Sequence, residues 1–213
     1  MKTTIKSIAT GTAQTYQIGE KTFQSAYKKD NYTNDCTVNI LGIEEDFQVD
    51  KRFHGGRDKA IHIGSSKHFD SFKKLYDTTL HPLAIGCNIF INDYDESDIC
   101  VGDIYSIGEL IVEVTQPRQP CWKIGALFDK ETSRYISQKY ATGWYVRILK
   151  TGKLKKDSPF KLEKRVSNIT IKELSIYLKM PPVEDEKLIK EILNTKALAK
   201  SYKDDFQNSL RNC

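Results

Sequence analysis

Cys121 lies in the stretch Gln116-Pro117-Arg118-Gln119-Pro120-Cys121-Trp122-Lys123, directly after an apolar run. Pro117 and Pro120 fix φ and withhold amide donors, so this backbone is stiff and is expected to leave a sheet rather than continue it. Arg118 and Lys123 flank the thiol within three residues on either side. Nearby positive charge favours the thiolate, the form that ligates soft metals and attacks electrophiles. The same octapeptide also suits an inert cysteine buried beside a packing tryptophan.

A second group is Lys51-Arg52-Phe53-His54-Gly55-Gly56-Arg57-Asp58-Lys59-Ala60. Paired glycines let a backbone approach a ligand closely, and the flanking cations can pair with phosphate or other anions. Taken alone it is equally a basic turn. Its glycine spacing matches neither a Walker loop nor a dinucleotide fingerprint. The four histidines, His54, His62, His68 and His81, have neither zinc-finger nor His-Glu-x-x-His spacing, and no Cys-x-x-Cys accompanies them. Gly-x-Ser-x-Gly is absent, which leaves a serine hydrolase without sequence support.

The elements that must position these groups read as mainly β. Short alternating or apolar runs at Ile5–Ile8, Val38–Leu41, Ala60–Ile63, Asn88–Ile91, Ile104–Ile107, Leu110–Val114 and Gly143–Leu149 are separated by turn residues, which suggests a barrel or sandwich. Helical spacing interrupts them at Ser65–Tyr76 and Glu131–Tyr140, without a βαβ repeat. After Arg165, Thr170-Ile171-Lys172-Glu173 fits a capping box that opens a helix to about Lys179, where Met180-Pro181-Pro182 ends it. Leu188, Ile189, Ile192 and Leu193 line a second helix, and Tyr202, Phe206 and Leu210 a third. The expected division is 1–166 for the β domain and 167–213 for a three-helix module, whose short helices have to pack on one another or on the sheet.

The 39% hydrophobic and 29% charged content is that of a soluble globular chain. The net charge of +5 arises entirely after residue 150, since residues 1–150 hold 19 Lys/Arg and 19 Asp/Glu. It therefore marks a basic tail rather than a basic core domain. Five cysteines without regular spacing imply free thiols. With no apolar leader and no bilayer-length apolar run, the expected location is the cytoplasm, with no membrane partner.

Four segments together resemble the MOSC family, named for the C-terminal domain of molybdenum cofactor sulfurases, and in particular its stand-alone bacterial branch linked to 6-N-hydroxylaminopurine resistance. They are Arg52–Ala60 with its His-Gly-Gly core, Gly86–Ile89, Val101-Gly102-Asp103 leading to Gln116–Lys123, and Thr142–Arg147. The resemblance covers about residues 1–166 and implies a closed MOSC-type β-barrel followed by the helical module. It also implies a molybdenum-pterin cofactor, with Cys121 as catalytic residue and molybdenum ligand. Arg52, His54, Lys59, Asn88, Arg118, Lys123 and Arg147 are candidates for gripping the pterin and its phosphate, and His54 is a candidate proton donor.

The implied reaction is two-electron reduction of N-hydroxylated compounds, such as N-hydroxylated base analogues. No flavin, haem or iron-sulfur motif is present, so the electrons come from a separate reductase, for which the basic tail (Lys187, Lys190, Lys200) is one docking place. This chain reads Gly86-Cys87-Asn88-Ile89 where the family often has Gly-Glu-Asn-Leu, and Glu45 where glycine is common. The first departure makes Cys87 a candidate lining residue. Sulfur transfer through a Cys121 persulfide and non-catalytic nucleic-acid binding by the tail are the competing readings. Nucleic acid is not the expected partner, and a homodimer is left open.

Overall fold

The computed structural model describes residues 3–50 and 55–213. Lys51, Arg52, Phe53 and His54 lie outside these described residues. Strands β1 (Ile5–Thr10), β4 (Asn31–Thr33), β7 (Ile61–Ser65), β8 (Ile89–Ile91), β9 (Ile104–Ile107), β10 (Leu110–Pro117), β11 (Trp144–Lys150) and β13 (Phe160–Lys164) form one eight-stranded sheet. Its order is β13-β9-β10-β11-β7-β8-β1-β4. Strands β5 (Asp35–Asn39), β6 (Gly42–Ile43) and β12 (Gly152–Lys155) make a three-stranded sheet, and β2 (Gln14–Ile18) with β3 (Lys21–Ser25) a separate hairpin.

The expected closed barrel is not met as a continuous ladder, because the order of the large sheet ends at β13 and β4. One isolated antiparallel bridge, Thr4 to Pro159, spans the gap between the residue before β1 and the residue before β13.

The burial pattern explains which strands the sequence announces. In β10, Leu110, Val112 and Val114 are buried while Ile111 and Glu113 are half-buried, the period-two signature of a strand with one core face. In β7 all five residues are buried, so it reads as a continuous run. β7 and β8 pair in parallel, the one parallel pair among the described strands. The crossover between them contains α1 (Lys67–Tyr76), so a single βαβ unit is present without a repeat. β10 runs on through Gln116 to Pro117, which pairs with Trp144. The chain leaves the sheet at Arg118, later than the prolines suggested.

The remaining helices are α2 (Lys123–Leu127), α3 (Lys130–Lys139), α4 (Ile171–Tyr177), α5 (Glu186–Asn194) and α6 (Lys200–Arg211). The capping box forms as read: Thr170 Oγ1 accepts from Glu173 N at 3.1 Å, and Glu173 Oε2 accepts from Thr170 N at 2.8 Å. Ile171, Leu174, Ile192, Tyr202 and Phe206 from these C-terminal helices join Val112, Val114, Trp144 and Val146 of the sheet in one continuous apolar core. α6 is also tied to the end of β10. Ala199 N donates to Thr115 O at 3.2 Å, Ser201 Oγ to Gln116 Oε1 at 2.9 Å, and Gln119 Nε2 to Asp205 Oδ2 at 2.8 Å. No helix among the described residues is long and apolar enough to cross a membrane.

Candidate functional site: a cationic cavity beside Cys121

At the exit of β10, Arg118 N donates to Gly143 O at 3.1 Å, which anchors the departing chain to the start of β11. The Arg118 side chain turns inward and is only 5% exposed. Its Nη1 donates to Tyr27 Oη at 3.2 Å and to Ile85 O at 3.3 Å, and its guanidinium carbon lies 4.7 Å from the centroid of the Tyr27 ring. Tyr27 Oη in turn donates to Ala84 O at 2.7 Å. Burial works against the arginine's charge, yet Tyr27, Tyr145 and Cys121 more than compensate and hold its pKa above the ordinary arginine value. Among the described residues Arg118 has no carboxylate within ion-pair distance. A buried guanidinium without a carboxylate is an uncompensated charge that an anionic ligand would stabilise.

Arg118 faces a cavity of about 70 Å³ whose lining includes Tyr27, Lys29, Lys59, His62, Asn88, Lys123 and Tyr145. Lys29 pairs with Asp46 at 2.7 and 2.8 Å, and Asp46 Oδ1 also accepts from Gly11 N at 2.9 Å. Burial lowers the pKa of Lys29 although Asp46 pulls it upward, and burial likewise lowers that of Lys59. Lys59 Nζ sits 6.0 Å from the Tyr145 ring centroid and Lys123 Nζ 5.9 Å from that of Phe23. The cavity thus gathers four cations, Lys29 from the loop before β4, Lys59 from the turn before β7, Arg118 just past β10 and Lys123 at the start of α2, with Asp46 and Asp50 among its acidic lining.

The floor is unusual at His62, which is buried and whose two ring nitrogens both face carbonyl oxygens. Nδ1 is 3.1 Å from Gly86 O and Nε2 is 2.6 Å from Thr142 O. A neutral imidazole donates from one nitrogen only, so the carbonyl pair favours the charged ring. Burial, with Arg118 and Lys29 adding repulsion, works the other way and pushes the pKa down to about 3. Burial in a cationic cavity is the larger influence, and the neutral ring with one donor is the form that follows.

The Thr142-Gly143 turn holds this floor in place. Gly143 adopts φ of +73°, and a Cβ there would lie 2.7 Å from His62 Nε2 and closer still to Ile63 O, so only glycine fits. Gly143 N donates at 2.7 Å to Glu96 Oε1, and the other Glu96 oxygen is 2.7 Å from His68 Nε2. A buried carboxylate thus braces the turn whose carbonyls hold Arg118 N and His62.

The structure brings together Arg118, Lys59, Asn88 and Lys123 around the cavity, with half-buried Cys121 beside them. Cys121 lies close enough to Arg118, Tyr27 and Tyr145 to couple with each of them electrostatically. Asn88 serves the frame as well as the lining: its Oδ1 accepts from His62 N at 3.2 Å and its Nδ2 donates to Ala9 O at 3.3 Å. Arg147 is not brought to the cavity. It pairs with Asp58 at 2.9 Å and Glu113 at 3.0 Å and donates to Ala197 O at 2.9 Å, which gives it a frame role. Arg52 and His54 lie outside the described residues. Cys87 does not line the cavity; its neighbours Gly86 and Asn88 do, while Cys87 is buried in an apolar cluster with Ile85 and Phe90.

Sequence reading missed Tyr27, Lys29, His62, Asp46 and Tyr145, all in the lining. Tyr145 and His62 were visible as members of strands, and Lys29 had no distinguishing signal.

A family model described as "MOSC domain" matches residues 50–161, just over half of the chain. The chain belongs to the MOSC domain family. Protein YiiM of Escherichia coli (strain K12) is 30% identical over 200 residues, spanning 92% of this chain and 87% of that one. The crystal structure of YiiM from Geobacillus stearothermophilus superposes with a TM-score of 0.76 at 28% identity, covering 98% of this MOSC chain and 99% of the other. A protein named Reductase from Gibberella moniliformis (strain M3125 / FGSC 7600) is 31% identical over 123 residues, which is 53% of this chain but 21% of that protein. The MOSC match begins ahead of β7 and ends in β13, so it contains Lys59, His62, Arg118, Cys121 and Tyr145.

Proposed function

We propose that this MOSC chain binds a molybdenum-pterin cofactor and reduces N-hydroxylated small molecules with electrons from a separate reductase. The observation that carries the reading is Arg118, a buried cation without a carboxylate partner among the described residues, facing a cavity beside half-buried Cys121. A cavity of about 70 Å³ has room for a phosphate-sized group. The residues therefore fit the anionic end of such a cofactor.

Arg118 would hold that end, with Lys59 and Lys123 adding positive charge, while Lys29 is already largely neutralised by Asp46. Cys121 would supply a thiolate to the metal. Among the described residues no group of three or more His, Cys, Asp or Glu is placed to hold a metal ion, so one cysteine ligand suits a metal that arrives with an organic chelator. When bound, the cofactor would supply two electrons, which with two protons convert an N-hydroxyl group to an amine and water. His62, with both ring nitrogens on carbonyls, would orient the floor rather than move protons. Cys121 would be kept in register by the stiff Pro117–Pro120 segment and by α6 behind it.

The test is molybdenum per chain, by elemental mass spectrometry, for wild type and Cys121→Ala produced in a host that makes the cofactor. Near-stoichiometric metal in wild type that is lost in the variant supports the reading. Metal absent from both folded proteins defeats it, and persulfide mass on Cys121 would then favour sulfur transfer. Binding to nucleic acid that is strongly salt-dependent and survives Cys121→Ala would instead favour the basic tail as the functional element.

A further inference from the structure

Trp122, the residue after Cys121, is 61% exposed, whereas Trp144 is completely buried. An exposed indole forgoes a large apolar burial, and this one is not left to swing. Phe23 of β3 meets it edge-on at 4.8 Å between ring centroids, and Tyr16 of β2 stacks on Phe23 at 5.6 Å. None of the three rings belongs to either apolar core cluster, so the row is not explained by packing of the fold. Two ammonium groups cover it, Lys123 5.9 Å from the Phe23 centroid and Lys28 5.5 Å from that of Tyr16. Lys123 and Ser25, the last residue of β3, line the cationic cavity, which places the aromatic row at its rim on the Cys121 side.

We propose that Trp122, braced by Phe23 and Tyr16, is the platform on which the flat ring of a heteroaromatic N-hydroxylated substrate stacks, so that planarity of the ring is what the site selects. The proposal rests on the reductase reading above and assigns its specificity. Every heteroaromatic ring has a π-face, so a stacking platform accepts a class of rings regardless of their edge substituents. Trp122 directly follows Cys121 in the chain, so the platform and the thiol are carried on adjacent backbone positions about 3.8 Å apart. Two cations over the row add attraction for an electron-rich ring system.

The experiment has two arms. In the first, the intrinsic fluorescence of the full chain is titrated with 6-N-hydroxylaminopurine and, separately, with hydroxylamine, which has no ring. The expected result is saturable quenching by the purine alone, with a midpoint at least about fivefold higher in Phe23→Ala, where the platform loses its brace. In the second, cofactor-loaded chain is assayed with both compounds, with a low-potential artificial electron donor such as reduced methyl viologen supplying the two electrons per turnover. The ratio of kcat/KM for the purine over that for hydroxylamine is expected to fall about tenfold in Trp122→Ala and to recover most of that loss in Trp122→Phe. Far-UV circular dichroism checks that the variants fold, as expected for exposed Trp122 and for half-buried Phe23 outside the apolar cores. No saturable quenching, or a ratio unchanged in Trp122→Ala, overturns the platform. Quenching without any reduction by loaded wild type defeats the reductase reading while upholding the platform as a ring-binding site.

Discussion

His62 Nε2 lies 2.6 Å from the carbonyl oxygen of Thr142, and the opposite ring nitrogen faces a second carbonyl, so the fold pulls on this imidazole in two directions. Burial among Arg118 and Lys29 depresses its pKa from 6.5 to about 3. A histidine depressed in the fold takes up its proton first in the unfolded chain, so its contribution to stability is intact above the ordinary value and is lost as pH falls below it. The expected loss is about 1.4 kcal/mol per pH unit on the way from 6.5 towards 3. Urea unfolding at pH 7.0, 5.5 and 4.5 should show a shallower pH dependence in His62→Gln than in wild type, by about one proton. Equal slopes would mean that the two carbonyls prevail and that the ring is charged in the fold.

Arg118 should report anion binding directly. Inorganic phosphate at about ten times its Kd is expected to stabilise wild type by about 1.4 kcal/mol through mass action, seen as a rise in Tm. Arg118→Met should lose that rise while staying folded, because methionine fills much of the same volume and relieves a buried charge. A phosphate shift that persists in Arg118→Met would place the anion elsewhere.

Gly143→Ala should be among the most damaging single changes in the chain. The new Cβ meets the Ile63 carbonyl, which belongs to β7 and cannot step aside, and does so at a φ of +73° that alanine disfavours. A loss of at least about 3 kcal/mol is expected in chemical denaturation. The residue that survives purification should also bind phosphate more weakly, since Arg118 N is anchored to Gly143 O.

The thiols should separate by reactivity. Burial, with Glu45 and Asp35 nearby, pushes the Cys36 thiol up to about 12, and burial likewise raises Cys87 and Cys100. Cys213 is exposed and Cys121 is half-buried. Iodoacetamide on the native chain followed by peptide mass spectrometry should label Cys213 and Cys121, with Cys36, Cys87 and Cys100 labelled only after unfolding. Early labelling of Cys87 would contradict its placement in the apolar cluster.

The sequence was legible where a segment's chemistry is local. The Thr170 capping box, the apolar faces around Leu188 and Tyr202, and the long strands β10 and β11 needed only spacing to be found, because one buried face writes a period into the chain. Strands β2 and β3 escaped because their faces are mostly exposed and polar, and β4 and β6 because three or two residues carry no period. At the site, Arg118, Lys123 and Cys121 were readable since proline and charge cluster around them. Tyr27 could not be read, because what makes it matter is contact with Arg118, 91 positions away, and Lys29 because its partner Asp46 lies 17 positions on with no motif between them. For Arg147 the motif position suggested a ligand contact, and the ion pairs with Asp58 and Glu113 that hold it were not legible from spacing.

Thr115, Gln116 and Gln119 take hydrogen bonds from or give them to Ala199, Ser201 and Asp205, and Tyr202 and Phe206 share the core of the sheet. During synthesis, the stretch leading to Cys121 therefore emerges from the ribosome about eighty residues before its supports do. Until α6 follows, β10 faces water with an apolar flank and has a Cys-bearing end with nothing behind it. The cysteine is thus shaped by a part of the chain made well after it, and a nascent protein stalled before residue 197 would display the thiol without the geometry of the folded site.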